Sequence, residues 1–435
     1  MIKANNTQDT RGHVIGNFPV PNDNAHANIV TAYKNLYAGE CQSPEMRDWI
    51  YWPTEYLLSD EYKMVKNYLV EKIQGSSDSV IVVGIGGSYL TPQAIIHSEY
   101  GEFYNEIAPK KGLPKMYFAG CDLSPDRLNK IIEMVSEGDW SIIYISKSGG
   151  TIEPALAFRV LWDALYAKYG EGADGRVYTV TDVEKGTLKG LTNEHGWDSC
   201  VIPDGIGGRF SGLTAVGLLP IAVAGIDTDA LLKGAIDAMN DCKDNVENFA
   251  VKYAEWRYYN GHETLASVEF LATNTPYLSF IAEWIKQLFG ESEGKEGKGI
   301  FPTSGVLPTD LHSIGQTLQE GERYLVFETL MKRKFKTDIE IPKSDLKDNL
   351  DKYEGKKFTQ AASAAMEGAF NAHTAGGNPC AMIEIDETLE AMGAFMYYCF
   401  VTTAVTAIAM GVNPFNQPGV EFHKVEMKKS PEWDK

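Results

Sequence analysis

Short apolar runs that end in glycine or serine alternate along this chain with longer stretches of helical periodicity, and that alternation leaves few folds open. Ser79–Val83 (SVIVV) has the unbroken apolar character of a strand buried on both faces. Gly84–Ser88 follows as a tight loop and Pro92–Ser98 as the start of a helix. Lys115–Ala119, Ser141–Ile145 and Arg176–Val180 repeat the strand theme, with helical patterns at Ser124–Val135 and Pro154–Lys168 between them. Strands alternating with helices predict βαβ units. The expected fold is therefore α/β, a mainly parallel sheet with helices on both faces. In such sheets ligands bind at the carboxyl ends of the strands.

A second series follows the first. Thr264–Phe270, Tyr324–Phe327 and Ala381–Ile385 read as strands; Tyr277–Leu288, Phe358–Asn371 and Glu387–Ala409 read as helices. Leu213–Ile226, apolar with Gly217 and Gly225, reads as a helix joining two sheets. A chain of 435 residues exceeds what one core supports. We divide it into an N-terminal segment, residues 1–54, two α/β domains, 55–229 and 230–412, and a C-terminal helix within 413–435. The charge-rich stretch Lys332–Lys357 reads as a surface excursion.

Composition narrows the function. The formal charge of −19, with no basic block against it, excludes nucleic acid and anionic lipid as general partners. An anionic substrate must then be held by local donors. The scattered cysteines and the eight histidines show no metal-ligand spacing, which predicts no metal, no disulfide framework and a reducing cytoplasm. Met1–Val30 is polar and lacks a signal-like apolar run. Ala391–Gly411 carries no charge and approaches bilayer-spanning length. Its three threonines and the lack of basic flanks predict a helix buried in a core instead.

Several segments carry candidate chemistry. Gly84-Ile-Gly86-Gly87-Ser88, between a strand and a helix, fits a cradle for a sugar or phosphoryl group, or a plain turn. It is no dinucleotide fingerprint, since Tyr89 takes the third glycine position, and no Walker A loop is present. Ser146-Lys147-Ser148-Gly149-Gly150-Thr151 offers hydroxyls and amides to a phosphate monoester at a strand's carboxyl end; a solvated turn is the alternative. Arg209, in Gly207-Gly208-Arg209-Phe210-Ser211, is either a stabiliser of developing negative charge or an ion-pair partner. Gln287-x-x-x-Glu291-Ser292-Glu293 ends an amphipathic helix with two carboxylates, either of which is a candidate base or a solvated charge. His312 is a candidate acid, with His423 as a rival. Lys424 lies in a segment, Phe415–Lys424, that opens a C-terminal helix.

In this order, from about Glu55 to Lys424, these segments resemble the glucose-6-phosphate isomerase family. Gly207–Ser211 is similar to the family's first signature and Phe415–Lys424 to its second, F-[DN]-Q-x-G-V-E-x-x-K. The length resembles the bacterial branch. The resemblance implies two sugar-isomerase-type domains, interconversion of glucose 6-phosphate and fructose 6-phosphate in glycolysis and gluconeogenesis, no cofactor and a homodimer. It further implies roles: Glu291 as the base between C1 and C2, His312 for ring opening in the neighbouring subunit's site, Lys424 assisting, and Arg209 stabilising a cis-enediol. Ser146, Ser148, Thr151 and the Lys147 amide would grip the phosphate; Gly87, Ser88, Gln287 and Gln417 would line the sugar pocket. Gly150 departs from the family, where many relatives have threonine. The doubled acid of Gly290-Glu291-Ser292-Glu293 makes Glu293 a rival to Glu291. Two alternatives stand beside this expectation: an isomerase for another sugar phosphate such as mannose 6-phosphate, and a non-catalytic phosphosugar-binding module. The joint presence of Glu291, His312 and Lys424 speaks against the module.

Overall fold

The computed structural model describes residues 4–8, 12–19, 21–264, 266–322 and 325–434. Its strands in chain order are β1 (Ala4–Gln8), β2 (Val14–Pro19), β3 (Ser79–Val83), β4 (Lys115–Ala119), β5 (Trp140–Ile145) and β6 (Val177–Thr181). They continue with β7 (Asp198–Val201), β8 (Val268–Thr273), β9 (Phe301–Val306), β10 (Val326–Arg333) and β11 (Cys380–Ile385). The chain forms two compact units. One is continuous, Glu45–Ile236; the other is split, joining the segment up to Pro44 with the segment from Asp237 onward.

The continuous unit holds a five-stranded sheet in the order β4-β3-β5-β6-β7, parallel throughout. Every residue of β3, β5 and β6 is buried, which is why these segments read as unbroken apolar runs. The helices Pro125–Val135 and Ile152–Tyr169 send Ile131, Val135, Phe158, Leu161 and Leu165 into one core with Ile81, Val83, Ile142 and Tyr144. Ser124 caps the first of them by accepting the Arg127 N–H at 3.3 Å, and Pro125 takes the first turn, where no amide hydrogen is needed. The second begins at Ile152, two residues before the expected Pro154. Leu213–Ile226 is helical over Ala215–Val223 and packs within this unit, against the helix Gly87–Tyr100. Gly217 leaves no room for a side chain: a Cβ there would lie 2.1 Å from the carbonyl oxygen of Gly212, in the preceding turn, and 3.2 Å from Thr91 Cγ2 on the facing helix.

The split unit holds a six-stranded sheet in the order β1-β2-β11-β10-β8-β9. The strands from β8 to β11 are parallel, β2 runs antiparallel on β11, and β1 pairs antiparallel with β2. The strand expected at Thr264–Phe270 lies at Val268–Thr273, and the one expected at Tyr324–Phe327 spans Val326–Arg333; Tyr324 itself lies outside the described residues. β1, β2, β7 and β9 were not foreseen. β2 alternates buried and half-buried residues, but Gly16 and Asn17 interrupt the apolar signal. Its Phe18 anchors it, stacking on Tyr253 at 5.5 Å and meeting Phe249 edge-on at 5.6 Å.

The uncharged run forms the helix Leu389–Ala409, buried along almost its whole length inside the split unit. Its polar groups are spent internally: Tyr398 donates to Asp241 at 2.8 Å, Thr402 to the Ala250 carbonyl at 3.2 Å, and Thr406 to the Thr402 carbonyl at 2.8 Å. Residues 334–357 form a surface excursion with one short 3-10 turn, Asp351–Tyr353.

The Gly217 contact is testable. Gly217→Ala forces the added methyl into a backbone oxygen, so a loss of about 1–3 kcal/mol is expected. Gly75→Ala, where the Cβ meets nothing within 4 Å, is the control. Thermal unfolding of the two variants should separate them, and equal midpoints would contradict the packing described.

Candidate active site

In the continuous unit the chain leaves β3 for its neighbour β4 and then crosses back to β5, on the other side of β3. The loops that follow β3 and β5 therefore diverge and open a crevice at the carboxyl end of the sheet, the place where doubly wound sheets bind ligands. Both glycine- and serine-rich segments singled out above lie there. Gly84 sits against the end of β5, since a Cβ on it would lie 3.4 Å from the Ile145 carbonyl oxygen.

The loop after β5 is built to donate. Ser146 Oγ accepts the Gly149 N–H at 3.0 Å and Ser148 Oγ accepts the Gly150 N–H at 3.1 Å, so each hydroxyl proton remains free to give away. Thr151 is the N-cap residue of Ile152–Tyr169, yet its side chain makes no capping bond. Its hydroxyl stands at the positive end of an 18-residue helix. The segment after β6 braces the loop from behind: Thr187 N–H donates to the Ser148 carbonyl at 2.8 Å and Asp182 N–H to that of Lys147 at 3.3 Å. This bracing demands glycine at Gly149 (φ +71°), where a Cβ would lie 2.4 Å from the Leu188 nitrogen. Gly150 is different. The nearest atom to a Cβ there is Ser148 Oγ at 3.6 Å, so the departure from threonine is not required by space.

Lys147 is exposed and its Nζ lies 2.9 Å from Asp204 Oδ1, which ties the loop to the segment preceding Arg209. Arg209 is buried, on the 3-10 turn Gly208–Leu213, with its guanidinium 5.6 Å from the Phe210 ring centre. Gly87 explains how that turn reaches the crevice: a Cβ on Gly87 would lie 2.2 Å from the Gly208 carbonyl oxygen. Backbone touches backbone there. The continuous unit thus gathers Gly87, Ser88, Ser146, Lys147, Ser148, Thr151 and Arg209 around the ends of β3 and β5.

The split unit separates the two rival carboxylates. On the helix Ser279–Glu293, Glu291 is half-buried and accepts a hydrogen bond from Gln287 Nε2, one turn earlier, at 3.2 Å. Gln287 Oε1 is buried with no partner among the described residues. Glu293 turns inward and is fully buried, with both oxygens on Arg257 (Nη2 to Oε2, 3.1 Å) and Thr403 donating at 3.3 Å. Arg257 also donates through Nε to Glu269 at 2.7 Å, and Tyr253 and Thr329 complete the Glu269 shell at 2.9 and 2.7 Å. Burial pushes the Glu293 carboxyl above the usual range, against the pull of Arg257. Glu293 is structural.

Lys295 joins this helix end to the segment that leads into Phe415–Lys424. Its Nζ donates to the carbonyls of Ser292 at 2.6 Å and Asn413 at 2.5 Å. Gln417 stands at the N-cap of the helix Pro418–Lys428, and Lys424 pairs with Glu421 on that helix at 2.7 Å. His312 is elsewhere. Gly290 lies beside Pro302 near the start of β9, and Glu283 accepts from Ser304 further along it at 2.9 Å, so the helix runs antiparallel to β9. His312 follows the other end of β9, in the exposed turn Thr309–His312, where Asp310 accepts the Val306 N–H at 2.7 Å. At a strand rise of about 3.3 Å per residue, Pro302 to Val306 alone separates the two by roughly 13 Å.

Sequence reasoning missed the Arg257–Glu269–Glu293 cluster and the Asp204 tether. A signal for the first existed: Glu293 falls four residues after Phe289, on the buried stripe, and Glu291 four after Gln287, off it. Among the described residues no group of three or more His, Cys, Asp and Glu side chains could hold a metal ion.

No protein-family model matches the chain. A curated glucose-6-phosphate isomerase from Lactiplantibacillus plantarum is 43% identical over 413 residues, 92% of this chain and 90% of that protein. One from Fusobacterium nucleatum is 45% identical over 384 residues, 87% of this chain and 85% of that protein. The crystal structure of a glucose-6-phosphate isomerase from Chlamydia trachomatis superposes with a TM-score of 0.76 at 16% identity, covering 96% of this chain and 88% of that one; it shows a shared fold.

The buried cluster yields a prediction with a definite sign. Arg257→Met leaves two facing carboxylates in the core and should cost about 3–5 kcal/mol at pH 8. Glu293, already raised by burial, binds a proton in the folded variant at a pH where the unfolded chain does not. Stability should therefore recover as pH falls towards 5 and be lost as it rises. Denaturant unfolding across that range checks it; a pH-independent deficit would count against the arrangement.

Proposed function

This chain belongs to the glucose-6-phosphate isomerase family, and from that premise we propose how its own residues interconvert glucose 6-phosphate and fructose 6-phosphate. The observation that carries the reading is the braced hydroxyl loop Ser146–Thr151 at the switch point of a parallel sheet. A phosphate monoester there accepts from Ser146, Ser148, Thr151 and loop amides, and the free first-turn N–H groups of Ile152–Tyr169 favour its charge. Gly87, Ser88, Gln287 and Gln417 meet the sugar hydroxyls, with the buried Gln287 Oε1 as a waiting acceptor.

Chemistry then needs two proton carriers and one cation. His312 gives a proton to the ring oxygen as the C1 hydroxyl loses its own, which opens the ring, with Lys424 assisting. Glu291 takes the proton from C2 of the aldose; the electron pair moves to C1 and the carbonyl oxygen gains a proton, giving a cis-enediol. Returning the proton from Glu291 to C1 while the C2 hydroxyl gives up its own leaves the ketose, so the proton gained at O1 is balanced by the one lost from O2. Arg209 stabilises the negative charge that builds on the enediol oxygens. The half-exposure of Glu291 against the complete burial of Glu293 supports the choice between them.

The enzyme acts as a cytoplasmic homodimer. Glu291 and His312 lie toward opposite ends of β9, so one chain does not present both to one sugar; a second copy supplies the histidine. The excursion 334–357 and the residue after it carry exposed apolar side chains suited to such a partner, including Ile339, Leu346 and Phe358. All six cysteines are free, in keeping with a reducing compartment.

Two variants test this together. Glu291→Gln should lower kcat by about 10²–10⁴ with KM little changed, and His312→Ala should be impaired in its own right. Refolded together, the two inactive chains should regain about a quarter of wild-type activity, because each mixed dimer restores one complete site. Mixtures as inactive as their parents would overturn the shared site. Full activity in Glu291→Gln would overturn the base.

A further inference from the structure

Behind the phosphate loop lies a second cavity, of about 240 Å³, which the isomerase chemistry does not use. Its walls are aromatic. Tyr144, Phe158 and Trp197 are buried, and Trp162 and His195 close it at half-burial. The rings hold one another in place: Tyr144 stacks on Phe158 at 4.5 Å, Trp197 meets Phe158 edge-on at 5.7 Å, and His195 stacks on Trp197 at 4.7 Å. Asp174 fixes this wall, accepting from Trp197 Nε1 at 3.0 Å and lying 2.9 Å from His195 Nδ1. Its Oδ1 is engaged by those two groups rather than by the cavity.

One lining side chain is charged and unspent. Arg159 is exposed at the cavity and makes no ion pair with any described residue, in a chain with a formal charge of −19. Flat π faces beside an uncommitted guanidinium suit a planar ring that bears an anionic group. A neutral apolar molecule would leave Arg159 unused. A sugar phosphate would set its hydroxyls against ring faces that offer them few partners.

The cavity also touches the loop that binds phosphate. Gly149, Thr187 and Leu188 line it, and these are the residues that brace the loop: Thr187 N–H on the Ser148 carbonyl, and Leu188 against Gly149. The geometry points to a regulatory site here for a small aromatic carboxylate. Its occupant pushes on Leu188 and Thr187 and thereby loosens the grip on substrate phosphate. That coupling rests on the phosphate-loop reading above; the binding itself does not.

The probe is 1-naphthoate, with 1-naphthalenemethanol as its uncharged counterpart, followed by saturation-transfer NMR and calorimetry on the intact enzyme. The acid should bind with a Kd of about 1 mM or tighter. Arg159→Gln, at an exposed side chain with no ion pair to break, should weaken it by about tenfold or more and leave the alcohol unaffected. Trp162→Leu should weaken both. In assays the acid should raise KM for glucose 6-phosphate with kcat unchanged, and Arg159→Gln should abolish that shift. No binding to the wild-type enzyme, or equal binding to Arg159→Gln, would overturn the site. Binding that depends on Arg159 but leaves KM unmoved would keep the site and overturn its link to the phosphate loop.

Discussion

A parallel sheet buried on both faces has nowhere to do chemistry except at its rim, and that constraint organises this protein. Within β3, β5 and β6 every backbone group is committed to a neighbour and every side chain to a core. Polar donors are available only where strands end and helices begin. The order β4-β3-β5 adds the decisive feature, because two loops part at one point instead of lying side by side. The same order recurs in the split unit, where β9 and β10 flank β8. The two units repeat an architecture without repeating a sequence.

Glycine makes the rim usable. At Gly87 and Gly149 the chain passes so close to other backbone that a single methyl would collide, and it is this closeness that brings the Arg209 turn and the Leu188 brace to the crevice. Charge is handled differently. Glu291 and Glu293 differ by two positions on one helix, roughly 200° of rotation, and so face different solvents. One keeps a neighbouring amide and access to water. The other is locked by Arg257 in the core, where truncation of either partner strands a charge. The acidic pair that looks redundant on paper therefore occupies two unrelated environments.

Central strands, and with them the loops that leave β3 and β5, were readable in advance because burial writes itself into composition. β3 and β4 were placed to the residue, and β5 and β11 to within one. The strands that escaped are the weakly patterned ones: β7 and β9 at sheet edges, and β1 and β2 in a polar segment with little apolar signal. Pro302 and Gly305 disguise β9 further. The loop Ser146–Thr151 stood out by its place after a strand and Arg209 by the resemblance of its segment to a family signature, whereas the charged partners that folding supplies did not stand out. Asp204 and Arg257 are ordinary charges until folding supplies a neighbour, and Arg257 finds Glu269 and Glu293 at separations that no local pattern encodes.

The antiparallel pairing of β2 with β11 has a consequence for how the chain is made. The continuous unit is complete as soon as its last residue has left the ribosome, and nothing later in the chain is needed to finish its sheet. β2 must instead wait for a partner more than three hundred residues downstream. Until that partner and the uncharged helix that follows it arrive, the buried side chains of β2 have no permanent cover. Synthesis therefore closes the split unit after the continuous one, and β2 is the strand that waits for it.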